Sequence, residues 1–195
     1  MKTLYIDRSA GSGRDGGWVE RLDLEDVGRI VVGTGPGSFA GIRSAIAFAQ
    51  GFALGRRCEV LGLPSPCAVA AQVFAREGAP RRLAVVGDAR CGKLWIALFD
   101  GYALAGDVFQ VERDGVAAAL SGETWGDCPV VTADEQRIGG LLRDVLGERY
   151  LCGMAPTDEG LRMFAEASPS SLRPEPLPIY LNPAVRGTSN ATIKT

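Results

Sequence analysis

Residues 29–55 constrain the fold of this chain more than any other segment. Arg29-Ile-Val-Val-Gly33 is a short apolar run of β-branched residues, the pattern of a strand buried on both faces. It leads into Gly33-Thr-Gly-Pro-Gly-Ser-Phe-Ala-Gly41, and from Gly41 the period changes. Ile42, Ala45, Ile46, Ala49, Phe52 and Ala53 then recur at three- and four-residue spacings, and Gly55 follows as a C-terminal cap. A buried strand joined to an amphipathic helix by a tight glycine turn is the repeating unit of layered α/β proteins. The flanking segments agree. Leu4-Tyr-Ile6 reads as a strand, followed by a turn-rich stretch from Asp7 to Gly17. Glu59-Val-Leu-Gly62 reads as another strand. Pro64 opens a helix that runs to about Arg76 and stops at Gly78 and Pro80.

A second series begins after Pro80. Leu83–Val86 and Leu94–Phe99 are strands joined by Gly87-Asp-Ala-Arg-Cys-Gly92, and Tyr102–Val111 is expected to form a third. Helical patterns follow at Asp114–Leu120, Glu135–Leu146 and Asp158–Ala167, with short strands at Val130-Val131 and Tyr150-Leu151. The order fits two α/β units, residues 1–80 and 81–186, and a polar tail, 187–195, expected to fray. The sequon Asn190-Ala-Thr192 carries no meaning without a secretory signal. Trp18-Val-Glu-Arg-Leu22 is expected as a short strand remnant between the first two strands.

Composition narrows the chemistry. The chain has 195 residues, 46% hydrophobic and 23% charged, which is the balance of a globular protein. With 21 basic against 23 acidic side chains the net charge is −2, so no general attraction to phosphate backbones and no direct tRNA binding are expected. There is no histidine. That excludes Ser–His–Asp and Cys–His nucleophile sets, His-ligated metals and the commonest general base. Five widely spaced cysteines without a CxxC fit free thiols in a reducing compartment. No run reaches the roughly 18 apolar residues of a membrane span, and Lys2 and Asp7 interrupt any signal-peptide core. A cytoplasmic location is expected, with no membrane partner.

Three motifs admit both a functional and a structural reading. In the glycine segment, Gly35-x-Gly37-x-x-Ala40 satisfies a loose dinucleotide fingerprint, with Glu59 some 20 residues on. Glycine permits close backbone approach, and a helix N-terminus favours an anion. Pro36, however, removes an amide donor from the supposed cradle. Phosphate contact and a purely structural turn both stay open. Gly87-Asp-Ala-Arg-Cys-Gly-Lys93 resembles a P-loop, but Leu94 replaces the magnesium-binding Ser/Thr and a strand follows where a helix is needed. It reads as a hairpin turn. Ser38 is no nucleophile elbow, because Pro36 and Ala40 replace the required glycines; it is placed to cap the following helix.

Gly35-Pro-Gly-Ser-Phe-Ala-Gly-Ile-Arg43 closely resembles the signature of the TsaB (YeaZ) family, whose usual form has Thr at the position of Ala40. Leu4-Tyr-Ile-Asp7-Arg-Ser9 looks like that family's first strand. Asp88-Ala-Arg90 with Gly92-Lys-Leu-Trp95 resembles its hairpin, and Leu177-Pro-Ile-Tyr-Leu181 its closing segment, with Asn182 where Arg is usual. The resemblance covers most of residues 27–182. It implies an α/β fold of two actin/Hsp70-like, RNase-H-like lobes. It also implies a non-catalytic role in making threonylcarbamoyladenosine beside the tRNA anticodon, by pairing with a catalytic TsaD-type paralogue, with a TsaE-type ATPase as a further partner and a homodimer as another state. In one respect the chain departs from the family. Only about 25 residues separate Ser9 from Gly35, where family members carry a hairpin and a long helix that lies in the partner interface.

The expectation is therefore a partner protein rather than an enzyme, with no cofactor and no metal. The residues assigned to nucleotide contact are Asp7, Gly35, Gly37 and Ser38. Two alternatives stand beside it: a free-standing nucleotide-binding protein using the glycine loop, and a degenerate relative acting only through protein contact. The apolar helix face around Ile42–Phe52 either packs inside the first lobe or meets the partner, and the sequence leaves both open.

Overall fold

In the computed structural model, residues 2–10 and 18–181 are described. Asn182, the tail 187–195 and its sequon lie outside them, as does most of the turn-rich stretch before Trp18. The first sheet is parallel, in the order β1-β2-β3, from β1 (Lys2–Ile6), β2 (Val27–Gly33) and β3 (Glu59–Leu63). Its register pairs Ile6 with Val32 and Gly33 with Leu63. Helix α1 (Phe39–Ala53) follows β2, and α2 (Ser65–Phe74) follows β3.

The second sheet is built on an antiparallel hairpin, β4 (Arg82–Arg90) and β5 (Lys93–Asp100). Arg90, Cys91 and Gly92 turn it with positive φ. Two short strands, β6 (Ala103–Leu104) and β7 (Phe109–Glu112), both pair with β5. On the far side, β8 (Val130–Thr132) and β9 (Tyr150–Gly153) extend the sheet in parallel from β4. The helices α3 (Val116–Ala119), α4 (Glu135–Leu146) and α5 (Asp158–Ala167) complete the chain.

Packing stacks these elements in five layers. On one face of the first sheet, Ile6, Ile30 and Val32 bury Ile42, Ala45, Ile46 and Ala49 of α1. Each fully buried isoleucine there contributes roughly 1.5–3 kcal/mol relative to an exposed one. On the other face, Val31, Leu61 and Leu63 pack on α2 and α5, and the same core continues into Val85, Trp95 and Phe99 of the second sheet. The pair α2–α5 is thus shared by both sheets. A Cβ at Gly160 would overlap the Ala68 carbonyl oxygen, which is how closely those two helices approach. The outer face of the second sheet carries α3 and α4.

Three expectations change. The single strand at Tyr102–Val111 is two, interrupted at Gly106, whose φ is +92°. Trp18–Leu22 is a 3-10 turn over Val19–Arg21 rather than a strand; Trp18 packs its ring against Phe48 of α1. Asp114–Leu120 is helical only over Val116–Ala119, after a 3-10 turn. Finally, Arg173 pairs with Gly62 at the free edge of β3, and the Ile179 amide donates to the Thr34 carbonyl at 2.8 Å. The closing segment is a strap along the first sheet.

Candidate functional site

β1 and β2 end side by side, and the chain ends they release meet at one point. Asp7, just past β1, is buried with its Oδ1 accepting from the Ser9 amide at 2.8 Å and the Ser9 hydroxyl at 2.6 Å. Its Oδ2 is buried without a hydrogen bond. Burial pushes the carboxyl above the usual aspartate range, against the lowering effect of Ser9 and then Ser65. The Asp7 amide donates to Asp158 Oδ1 at 2.6 Å, and Asp158 Oδ2 pairs with Arg8 at 3.0 Å. Asp158 opens α5, so the first turn of that helix clamps the end of β1.

The glycine segment is shaped by this packing. A Cβ at Gly33 would overlap the Asp7 carboxylate, one at Gly37 the Ser9 carbonyl oxygen, and one at Gly41 the Arg8 carbonyl oxygen. Gly35 has φ +84°. Its amide bonds the Ser65 hydroxyl at 3.0 Å, and its carbonyl accepts from the Ser65 amide at 2.9 Å. The Ser38 amide donates to the Ser9 carbonyl at 2.6 Å, and its hydroxyl caps α1 by accepting from Gly41. The amides of Thr34, Gly35, Ser38, Gly41 and Ile42 are therefore all committed within the chain.

Gly37 and Ser38 line a cleft of about 1120 Å³ between the lobes, whereas Asp7 and Gly35 are buried and are not among its lining residues. The sequence thus assigned four residues to one site, and the structure divides them: Gly37 is exposed, Ser38 half-buried, and Asp7 and Gly35 buried. Opposite stand Asp88, Arg90 and Trp95 from the hairpin and Asp134, Glu135 and Arg137 from the start of α4. Asp88 is buried and draws in three guanidiniums, Arg90 at 3.2 Å, Arg113 at 3.5 Å and Arg137 at 3.9 Å. Its amide donates to Asp134 Oδ2 at 2.8 Å. The two lobes therefore repeat one device: an aspartate near the end of a first strand, its amide held by a carboxylate at the start of a helix. Glu135 bonds the Tyr150 hydroxyl and Arg143, and the Tyr150 hydroxyl is raised by burial and by that carboxylate. Tyr180 of the strap closes the rim against Phe39. Sequence reasoning quoted Asp88, Arg90 and Tyr180 as motif residues without placing them at a site, and did not single out Ser65, Arg137 or Asp158. Among the described residues no three His, Cys, Asp or Glu side chains gather as a metal site, and no helix is long and apolar enough to cross a membrane.

Two α/β lobes on a shared helix pair, with a cleft between their first strands, define a protein of the actin/Hsp70-like class. The family described as "TsaD: tRNA N6-adenosine threonylcarbamoyltransferase" matches residues 20–121, and the chain belongs to that family. The tRNA threonylcarbamoyladenosine biosynthesis protein TsaB of Escherichia coli K12 is 39% identical over 74 residues, which are 38% of this chain and 32% of that relative. The aligned stretch thus spans about a third of the curated relative. Among solved structures, YeaZ from Pseudomonas aeruginosa superposes with a TM-score of 0.64 at 23% identity, covering 82% of this chain and 77% of the other. A second, described as an uncharacterized protein with similarity to peptidase YEAZ from Pseudomonas aeruginosa, gives 0.62 at 23% identity, covering 87% and 80%. These likenesses bear out the resemblance to TsaB (YeaZ) and the two-lobed fold.

Proposed function

We propose that this chain is a non-catalytic subunit of the machinery that makes threonylcarbamoyladenosine in tRNA, and that it acts by pairing with a TsaD-type catalytic paralogue. The similarity to TsaB supports the pathway. The observation that carries the partner role is the outer face of α1. Its inner face is spent on the first lobe, through Ile42, Ala45, Ile46 and Ala49. The residues left exposed, Ala40, Ser44, Ala47, Gln50 and Gly51, are small or uncharged, and Leu54 just past the helix is 79% exposed. Arg43, the one charge on that face, lies over the Phe39 ring at 5.0 Å. A fifteen-residue helix with so few charges outward lets another helix approach closely at little desolvation cost.

The test is size-exclusion chromatography with light scattering on this protein mixed with the TsaD-type paralogue of the same organism. A co-eluting complex of defined mass is expected. Two separate peaks, with and without added nucleotide, would overturn the reading in favour of a relative that has left the pathway.

A further inference from the structure

Both sheets end on free edges, and among the described residues every edge but β1 carries a safeguard. Along β3 the strap supplies a cover through the Gly62–Arg173 bridge. β9 carries an extra residue, Leu151, opposite the Val130–Val131 step, and such a bulge interrupts an edge ladder. β6 and β7 are only two and four residues long. β1 has five residues and none of these devices. Its seam with β2 does shift register, but the extra residue there is Gly28 of β2. Its one charge, Lys2, is tied to Asp23.

Backbone alternation fixes which groups this edge offers. The Lys2 amide donates to the Asp26 carbonyl across the β1–β2 seam at 3.0 Å, so Thr3 and Tyr5 turn their amides and carbonyls the other way. The next amide in that outward series, that of Asp7, is taken by Asp158 at 2.6 Å, which ends the open stretch. Among the described residues no hydrogen bond reaches the outward amide or carbonyl of Thr3 or Tyr5. Two such residues, placed symmetrically about Leu4, are their own complement. When a second β1 runs antiparallel about a two-fold axis at Leu4, Thr3 of each strand faces Tyr5 of the other, and each facing pair exchanges two hydrogen bonds. Threonine opposite tyrosine is a favourable cross-strand pair. The neighbouring helix agrees. Tyr5 and Met163 of α5 pack on one core, and the Tyr5 hydroxyl feels the charges of Glu166 and Arg162. The same two-fold lays α5 antiparallel to its copy, so a flank bearing both signs meets its own reverse. We infer that β1 is a dimerisation edge, at which a second copy of this chain adds its own β1 in antiparallel register centred on Leu4. The contact lies at the sheet edge, away from the outer face of α1, and does not depend on the pairing proposed above. One strand and one helix flank make a small interface, so the dimer forms as concentration rises.

The test is sedimentation equilibrium on the isolated full chain over a range of concentrations, where a monomer–dimer equilibrium is expected. Thr3→Pro removes an outward amide that makes no bond to the described residues, and an edge strand accepts proline at such a position. It should weaken dimerisation about ten-fold or more, because a hydrogen bond is lost on each side of the axis. Leu4→Cys gives a second readout. In a non-hydrogen-bonded antiparallel pair the two positions lie about 4.5 Å apart, within disulfide reach. Mild oxidation should link position 4 to position 4 of the copy, seen by mass spectrometry of the linked peptide, with the parent and its five cysteines as control. Thermal melting of each variant checks that it folds. The proposal is overturned if the parent stays monomeric at every concentration, if folded Thr3→Pro dimerises like the parent, or if position 4 does not link. Loss of the dimer in Ala47→Arg but not in Thr3→Pro would place the second copy on α1 instead. A monomeric parent whose co-elution with the TsaD-type paralogue is lost in Thr3→Pro would give the edge to that partner, and either result overturns the proposal.

Discussion

Asp7 is held between two opposing effects: burial favours its neutral form, and two bonds from Ser9 favour the carboxylate. Burial is the larger, so the folded state keeps the proton to a higher pH than the unfolded chain, which releases it near pH 3.9. Between those two values the folded state binds more protons, and stability attributable to this group falls as pH rises. Asp7→Asn keeps an Oδ1 for Ser9 and puts a neutral group at the unpartnered Oδ2. It is expected to match the parent near pH 4 and to be more stable at pH 7, as urea denaturation at pH 4, 5.5 and 7 would record. A variant less stable at pH 7 than at pH 4, relative to the parent, would mean that the carboxylate itself is stabilising. At this scale the sequence was only half legible. Asp7 and Ser9 stand in one motif, but Asp158, which receives the Asp7 amide, lies 151 residues away. Nothing in local spacing links a helix start to a strand end over that distance.

At the scale of elements, α1 contains two glycines with opposite tasks. Gly41 is where the helix touches the chain leaving β1, and a methyl group there would overlap the Arg8 carbonyl oxygen. Gly51 has open space where its Cβ would be. Gly41→Ala is therefore expected to cost about 1–3 kcal/mol through forced backbone displacement. Gly51→Ala should add roughly 0.5–1 kcal/mol from helix propensity. Opposite shifts in the denaturation midpoint of the two variants would bear this out; a loss at Gly51 equal to that at Gly41 would mean that the space beside Gly51 is not open. Elements such as α4 and α5 were legible to the residue, because each pairs a clear apolar stripe with a polar face and a defined start. Thr157 caps α5 by accepting from Gly160. Tyr102–Val111 was not, since a strand pattern survives a break when both halves pair with the same neighbour, β5. Trp18–Leu22 misled for a related reason: its apolar residues fill the flank of α1 without joining the ladder.

At the scale of the whole molecule, the proposed pairing has to be compatible with a short link between β1 and β2. Among the described residues of that link is the 3-10 turn Val19–Arg21, preceded by Trp18, which packs on Phe48 and lies under the Arg8 guanidinium at 5.1 Å. That contact covers one flank of α1 and leaves the Ala40–Gly51 face open. The sequence raised both fates for this helix, and the structure realises the first on one side, burying Ile42 and Ile46, while the second is open to the opposite side. Periodicity alone could not separate them, because alanine and serine satisfy either environment. Ala47 lies midway along the open face. Ala47→Arg retains helix propensity and touches no core residue, so thermal stability should stay within about 0.5 kcal/mol of the parent. In a close helix–helix contact, however, the guanidinium would be desolvated without a counter-charge, at a cost of about 3 kcal/mol or more, which is at least a hundred-fold in affinity. Co-elution with the TsaD-type paralogue should therefore disappear in Ala47→Arg, whereas a Glu148→Arg control on the far lobe should pair as the parent does. If both variants pair equally well, the partner meets another surface, and the open face of α1 serves neither pairing nor the stability of this lobe.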